Sequence, residues 1–193
     1  NIRIKDYYGS NENVSDIKTY QRNSMNTSEG SFNELTDRNI SIDTAKKYGV
    51  KSVLNSDGSI NSHIYPYYIS NEMVGSKIRL TENKEFQWKG TSKGTGLFGQ
   101  NLFGTNGKFI TLTEGECDAM AAYQMLGSKW PVVSVKNGAG GGVKDVKENL
   151  EYLESFEYVV IAFDNDKVGK DNARRVARLL KPGKAKIMQL PNG

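Results

Sequence analysis

Cysteine is almost missing from this chain: 193 residues contain a single one, Cys117, and a single histidine, His63. One cysteine excludes an internal disulfide, and it excludes a Cys-rich zinc site within the chain. A reducing, cytosolic setting is the simplest reading of that usage. Long apolar runs are lacking too, since none approaches the ~20 residues that a membrane span needs. Residues Asn1 to Tyr8 are polar and mixed, unlike a signal peptide. The chain begins without Met and stops at Pro191-Asn192-Gly193, which reads as a piece of a larger protein. No internal repeat is found.

What is present suits a globular protein. The hydrophobic fraction is 37%, enough for a real core, and the length fits one large domain or one with a smaller companion. The net charge is +4, and its distribution matters more than its size. Between Lys77 and Lys108 lie six basic residues (Lys77, Arg79, Lys84, Lys89, Lys93, Lys108), opposed only by Glu82 and Glu85. Such a segment suits phosphate contacts, to a nucleotide or a nucleic acid. It equally suits a solvated sheet edge that discourages aggregation.

Four stretches follow one another. Residues 9–31 are polar and short of aliphatics, which suggests a linker or extended arm. In residues 33–49, NELTDRNISIDTAKKYG, Ser41 is a helix cap and Gly49 a helix stop. Leu35, Ile40, Ile42 and Ala45 are the expected buried side. Residues 51–89 read as strands, with Asp57-Gly58 as a hairpin turn. Residues 90–107 carry six glycines and are expected to be loops around LFGQNLFG.

From residue 108 strands and helices alternate. The strands are KFITLT, PVVSV, YVVIAF and KAKIMQL. The helices are CDAMAAYQMLG, VKDVKENLEYLESF and VGKDNARRVARLL, with KNGAGGG as a turn. This β-α-β-α-β-α-β order predicts a parallel α/β sheet flanked by helices, preceded by a smaller mixed α+β part. The expected division is residues 1–32 as the arm, 33–107 as the smaller part and 108–193 as the parallel sheet.

Two acidic motifs lie at strand ends. TLTEGECDAM delivers Glu114, and VVIAFDNDKVGK delivers Asp164 and Asp166. In open α/β sheets, ligands bind beyond the carboxyl ends of the strands. Asp164 and Asp166 point to one side if the chain is extended, and crowded like charges are costly without a cation. Hard oxygen ligands suit Mg²⁺ or Mn²⁺. Taken alone, each motif is also explained by helix N-terminal acids, with Asp166 as an N-cap. The pair together, in one β/α frame, favours a metal site.

This combination resembles the Toprim fold of primases, topoisomerases and some nucleases. The order of motifs over residues 31–193 is similar to the primase domain of phage primase-helicases. ELTDRNIS with TAKKYG opens it. The basic strand with Lys77 and Arg79 follows, then Lys84 and Phe86, then Leu97 to Gly99 and the strand into E-G-E. The resemblance implies Glu114, Asp164 and Asp166 as metal ligands, and as catalytic residues together with Lys77 and Arg79. It implies Lys77, Arg79 and Lys84 as nucleotide-binding residues. Gly115 is the tight turn beside the glutamate, and Asn137 to Gly142 the Gly-bearing turn between the motifs. Glu116 and Asp118 extend the first motif, as outer ligands or as ordinary helix acids.

The function implied is metal-dependent synthesis of short RNA primers on single-stranded DNA from ribonucleoside triphosphates, in the cytoplasm of a bacterial host. A zinc module before this piece and a hexameric helicase after it are the implied neighbours, and a further acidic residue is expected beyond L-P-x-x. The rivals are a Toprim nuclease and a degenerate single-stranded-DNA-binding module beside a helicase. Phe86 and Trp88 alternate in a strand and are expected to cover one face of it, with base stacking as the alternative for Trp88. His63, Cys117, Tyr67 and Tyr68 are expected to be structural.

Overall fold

The structure, a computed structural model, describes residues 30–189. The polar stretch read as an arm lies almost wholly outside them. Two four-stranded sheets make up the described chain. Strands β1 (Lys51–Leu54), β2 (Ile60–Ile69), β3 (Glu72–Leu80) and β4 (Phe86–Gly90) form an antiparallel meander in sequence order. The hairpin turn between β1 and β2 is at Asp57-Gly58, where the Asp57 carboxylate accepts from the Ser59 amide at 2.9 Å. Strands β5 (Phe109–Thr113), β6 (Val132–Ser134), β7 (Tyr158–Ala162) and β8 (Ala185–Ile187) form the parallel sheet, in the order β6-β5-β7-β8.

Helix α1 (Ile42–Tyr48) starts and stops on the expected residues. The Ser41 hydroxyl accepts from the Thr44 amide, and Gly49 closes the helix at φ 71°, where a side chain would be strained. Leu35, Ile40 and Ala45 are buried, but Ile42 is 38% exposed. It occupies the first turn, on the outer side of the helix. The expected helical pattern over 33–49 is really a 3₁₀ turn at Thr36–Arg38 followed by α1.

Helix α2 (Glu116–Met125) connects the two sheets. Its residues Ala119, Met120 and Tyr123 pack with Leu35, Tyr48, Tyr65, Tyr67 and Phe98, so its apolar face belongs to the core under the antiparallel sheet. A fully buried aromatic or aliphatic side chain here contributes about 1.5–3 kcal/mol. Phe98 extends β6 by a short antiparallel bridge to Ser134, and Tyr48 donates to the Val132 carbonyl at 2.9 Å. Both ties bind the smaller part to the parallel sheet.

Another stretch departs from expectation. The glycine-rich segment is not a turn: α3 (Gly138–Glu148) begins inside it, and the expected single helix breaks at Asn149 before α4 (Leu150–Glu154). Glycine run and helix coexist because the buried Asp145 carboxylate grips the Lys136 and Asn137 amides at 2.8 and 3.0 Å. Tertiary anchoring offsets the poor propensity of glycine. Helix α5 (Lys167–Ala177) then leads to β8.

Candidate active site

Strand β6 lies on one side of β5 and β7 on the other, so the chain reverses its direction of travel between β5 and β7. That is the topological switch point, where a crevice opens beyond the carboxyl ends of the strands. Thr113 and Ala162 are register partners on these strands, about 4.8 Å apart as neighbouring strands are. Glu114 follows Thr113 directly, and Asp164 stands two residues after Ala162. Both line a cleft of about 430 Å³ together with Asp118, Lys77, Phe86, Trp88 and the Lys136–Gly138 segment.

Asp118 sits in the first turn of α2 and accepts a hydrogen bond from the Gly115 amide. Its pKa is raised, first by partial burial of the carboxylate against the cleft wall, then by the charges of Asp164 and Glu116. The backbone of Asp164 is set by a close approach. A Cβ on Gly169 would stand 2.3 Å from the Asp164 carbonyl oxygen, so α5 can reach this position only with glycine there.

The opposite side of the cleft comes from the antiparallel sheet. Lys77 and Arg79 lie two residues apart on β3 and face the parallel sheet. The Lys77 ammonium donates to Glu116 Oε1 at 2.8 Å and to the Lys136 carbonyl at 2.7 Å. It also lies 4.3 Å from the centre of the Phe86 ring, a cation–π distance. Glu116 Oε1 accepts a second bond, from the Tyr67 hydroxyl at 2.7 Å. Lys77 and Glu116 are both buried, at 8% and 4% exposure.

The residues expected at the site therefore divide. Glu114, Asp164 and Lys77 share the cleft. Asp166 is not among the residues lining it; its Oδ1 caps α5 by accepting from the Gly169 amide at 2.7 Å. Arg79 is half-buried and pairs across the sheet with His63 and Phe86. Lys84 is exposed in the turn between β3 and β4, at φ 59°, outside the cleft lining. Glu116 is a buried ion-pair partner of Lys77. Phe86 is half exposed on the cleft wall, and Trp88 beside it packs on Tyr67 with ring centres 4.9 Å apart.

Sequence reading missed three residues that shape this site. Lys136 is buried, and its ammonium donates to the Thr95 carbonyl at 2.8 Å. Asp145 also accepts from the Asn137 side chain at 3.0 Å. Gly169 is the third. The only signal for the first two was charge on an otherwise apolar strand end and helix face. For Gly169 it was a glycine inside a helix, which usually marks a packing need.

His63 is fully buried. Its Nε2 is 3.0 Å from Asp37 Oδ1, its Nδ1 is 3.0 Å from the Tyr65 hydroxyl, and that hydroxyl is 3.2 Å from Cys117 Sγ. Burial lowers the His63 pKa, with Asp37 pulling the other way. Burial also raises the Cys117 thiol. Both residues stay out of the cleft lining.

No three carboxylate, imidazole or thiol groups among the described residues converge closely enough to grip an ion unaided. Glu114, Asp118 and Asp164 nonetheless share one cleft as oxygen donors, and the charge of Asp164 opposes that of Asp118. That donor set fits Mg²⁺, which takes one or two carboxylates with waters and substrate phosphates in preference to an all-protein cage.

Comparison with known proteins places the fold. A Toprim-like family model matches residues 111–193. The DNA helicase/primase of Enterobacteria phage T3 is 32% identical over 167 residues, which is 85% of this chain and 28% of that protein. The chain thus spans 28% of the length of that curated relative. The crystal structure of the primase fragment of the bacteriophage T7 primase-helicase matches with a TM-score of 0.74 and 34% identity, over 84% of this chain and 67% of that one. A second match is a chain from the T7 lagging-strand DNA polymerase interacting with primase domains bound to an RNA/DNA hybrid and dTTP. It has a TM-score of 0.74, 33% identity, and coverage of 85% and 82%. A DNA primase domain from Pseudomonas aeruginosa shares the fold alone, at 17% identity and a TM-score of 0.59 over 82% of this chain and 63% of that one.

The fold is thus that of a Toprim-type primase. The chain belongs to the family of primase domains found in phage primase-helicases.

Proposed function

We propose that this chain carries out template-directed joining of ribonucleotides into short RNA primers on single-stranded DNA. The observation that carries the reading is the meeting of Glu114 and Asp164 at the β5–β7 switch point, in one cleft with Lys77. Carboxylates on one wall and a cation on the other suit a metal-bound triphosphate. Glu114 and Asp164 would hold Mg²⁺ or Mn²⁺, with Asp166 reaching it through the oxygen that does not cap α5. When bound, the ion would acidify the primer 3′-hydroxyl and stabilise charge on the departing pyrophosphate.

The chain's own residues supply position and charge. Lys77 would donate to a phosphate oxygen. Arg79 and Lys84 would extend the positive field along β3 and its turn, steering template and nucleotide toward the cleft. Phe86, half exposed on the wall, would shield the reacting phosphates from water. Most of the rate would come from orientation and preorganised electrostatics. In this reading residues 33–107 bring cations and template, residues 108–193 bring the carboxylates, and residues 1–32 are the arm that precedes them. In the full protein a zinc module and a hexameric helicase would flank this part, and the site of action would be the cytoplasm of a phage-infected bacterium.

The test is nucleotide incorporation on single-stranded DNA with Mg²⁺ and then Mn²⁺, comparing the wild type with Asp164→Ala. Short labelled RNA from the wild type alone supports the reading. Cleavage of labelled DNA without incorporation would instead identify a nuclease.

A further inference from the structure

Tyr67 is a strand residue in the middle of β2, 1% exposed, with no place in the cleft lining. Packing alone would be served by phenylalanine. Its hydroxyl, however, is spent on one atom, Glu116 Oε1, at 2.7 Å. The same oxygen receives the Lys77 ammonium at 2.8 Å. Lys77 gives a second N–H to the Lys136 carbonyl at 2.7 Å. The Lys136 amide in turn donates to Asp145 at 2.8 Å. A buried line of hydrogen bonds thus runs from β2 through α2 and β3 to the start of α3.

The geometry of this line limits what Lys77 can do. An ammonium has three N–H groups in fixed tetrahedral directions. Two are held by Glu116 and the Lys136 carbonyl. The third faces the cleft wall at the Phe86 ring, a contact that a triphosphate oxygen entering the cleft would replace. A lysine in water would sample many rotamers and lose that freedom on binding an anion. Here the cost has been met on folding, provided Glu116 keeps its orientation. Tyr67 is the group that holds Glu116 from behind.

We infer that Tyr67 is a positioning residue for the nucleotide: through Glu116 it aims the remaining N–H of Lys77 at a triphosphate oxygen in the cleft. The inference rests on the proposed primase reading, because it takes a nucleoside triphosphate as the occupant of that cleft. Glu116 then serves as a strut for Lys77, whereas the metal belongs to the carboxylates at the strand ends.

The test uses the whole chain and ATP with Mg²⁺. Incorporation kinetics on single-stranded DNA give KM and kcat, and Trp88 fluorescence, read in a Trp130→Phe background, reports ATP binding without catalysis. Tyr67→Phe should raise the KM for ATP about five- to tenfold, the worth of one hydrogen bond, with kcat within about twofold. The Lys77 ammonium, visible by nitrogen-proton NMR because its protons are held, should broaden in the variant. In a Lys77→Ala background, Tyr67→Phe should change KM no further. Glu116→Gln, which keeps the shape, should repeat this non-additivity, so two independent variants probe the same link.

If ATP binds Tyr67→Phe as well as wild type, Tyr67 is not a positioning residue, and the primase reading stands untouched. Additive losses with Lys77→Ala would make Tyr67 a structural residue only, and overturn the inference equally. A cooperatively folded wild type that neither binds ATP nor incorporates nucleotides removes the primase reading and the inference together.

Discussion

Lys77 Nζ and Glu116 Oε1 meet at 2.8 Å across the junction of the two sheets, with only 10% and 5% of their side chains exposed. A buried pair is costly to break from one side, since the survivor keeps its charge without compensation. Lys77→Met and Glu116→Leu should each destabilise the protein by about 3–5 kcal/mol. The double substitution should recover at least half of the summed loss. Urea unfolding of the four-member cycle measures this. Additive losses would show that the pair contributes nothing by pairing.

Asp164 is exposed, so its loss should leave the fold intact. Asp164→Asn and Glu114→Gln should each lower nucleotide incorporation at least about a hundredfold, the scale of losing one preorganised electrostatic partner. Thermal midpoints should stay near the wild-type value. Activity surviving in both variants would exclude the cleft as the reaction site.

Asp166 serves two readings that one substitution can separate. Asparagine caps a helix about as well as aspartate, while alanine loses about 0.5–2 kcal/mol. Asp166→Asn should therefore keep the stability of wild type, and Asp166→Ala should lose it. If Asp166 also holds the metal, both variants lose incorporation. If it only caps α5, Asp166→Asn remains active.

Gly169 fixes the path of Asp164, because an added methyl would meet the Asp164 carbonyl oxygen at 2.3 Å. Gly169→Ala should destabilise by about 1–3 kcal/mol, as overpacking does. It should also reduce incorporation, because the strand end must shift. Unfolding and incorporation assays on the same preparation check both effects. Wild-type behaviour in both would mean that α5 adjusts without moving the site.

His63 should make stability depend on pH. Its folded pKa lies below the ordinary 6.5, chiefly through burial. Below pH 6.5 the unfolded chain takes up a proton that the folded chain resists. Stability is therefore full above 6.5 and falls as pH drops toward the folded pKa. The slope cannot exceed about 1.4 kcal/mol per pH unit for one group. His63→Gln, which keeps a donor and an acceptor without titrating, should remove this component in urea unfolding between about pH 7 and 5. An unchanged pH slope would show that His63 does not cause it.

Local pattern was enough for much of this protein. Ser41 and Gly49 bound α1, Asp57-Gly58 turns the first hairpin, and the apolar run that starts at Tyr158 forms β7, buried on one face and half-buried on the other. Each of these follows from neighbours a few residues away. The glycine run at 138–142 misled because its helicity depends on Asp145, several residues on, gripping the amides before it. Ile42 misled because periodicity does not say which side of a one-turn offset meets the core.

The site divides along the same line. Glu114 and Asp164 were legible because a strand delivers each, and a parallel β/α order brings strand ends to one edge. The sequence by itself therefore determined the fold class, the family, and the two strand-end acids. Only the tertiary structure decided that Lys77 belongs to Glu116 and that Tyr67 stands behind that pair. Those relationships join residues 39 and 49 positions apart, across sheets packed by a shared core, and no local periodicity encodes which side chains meet there.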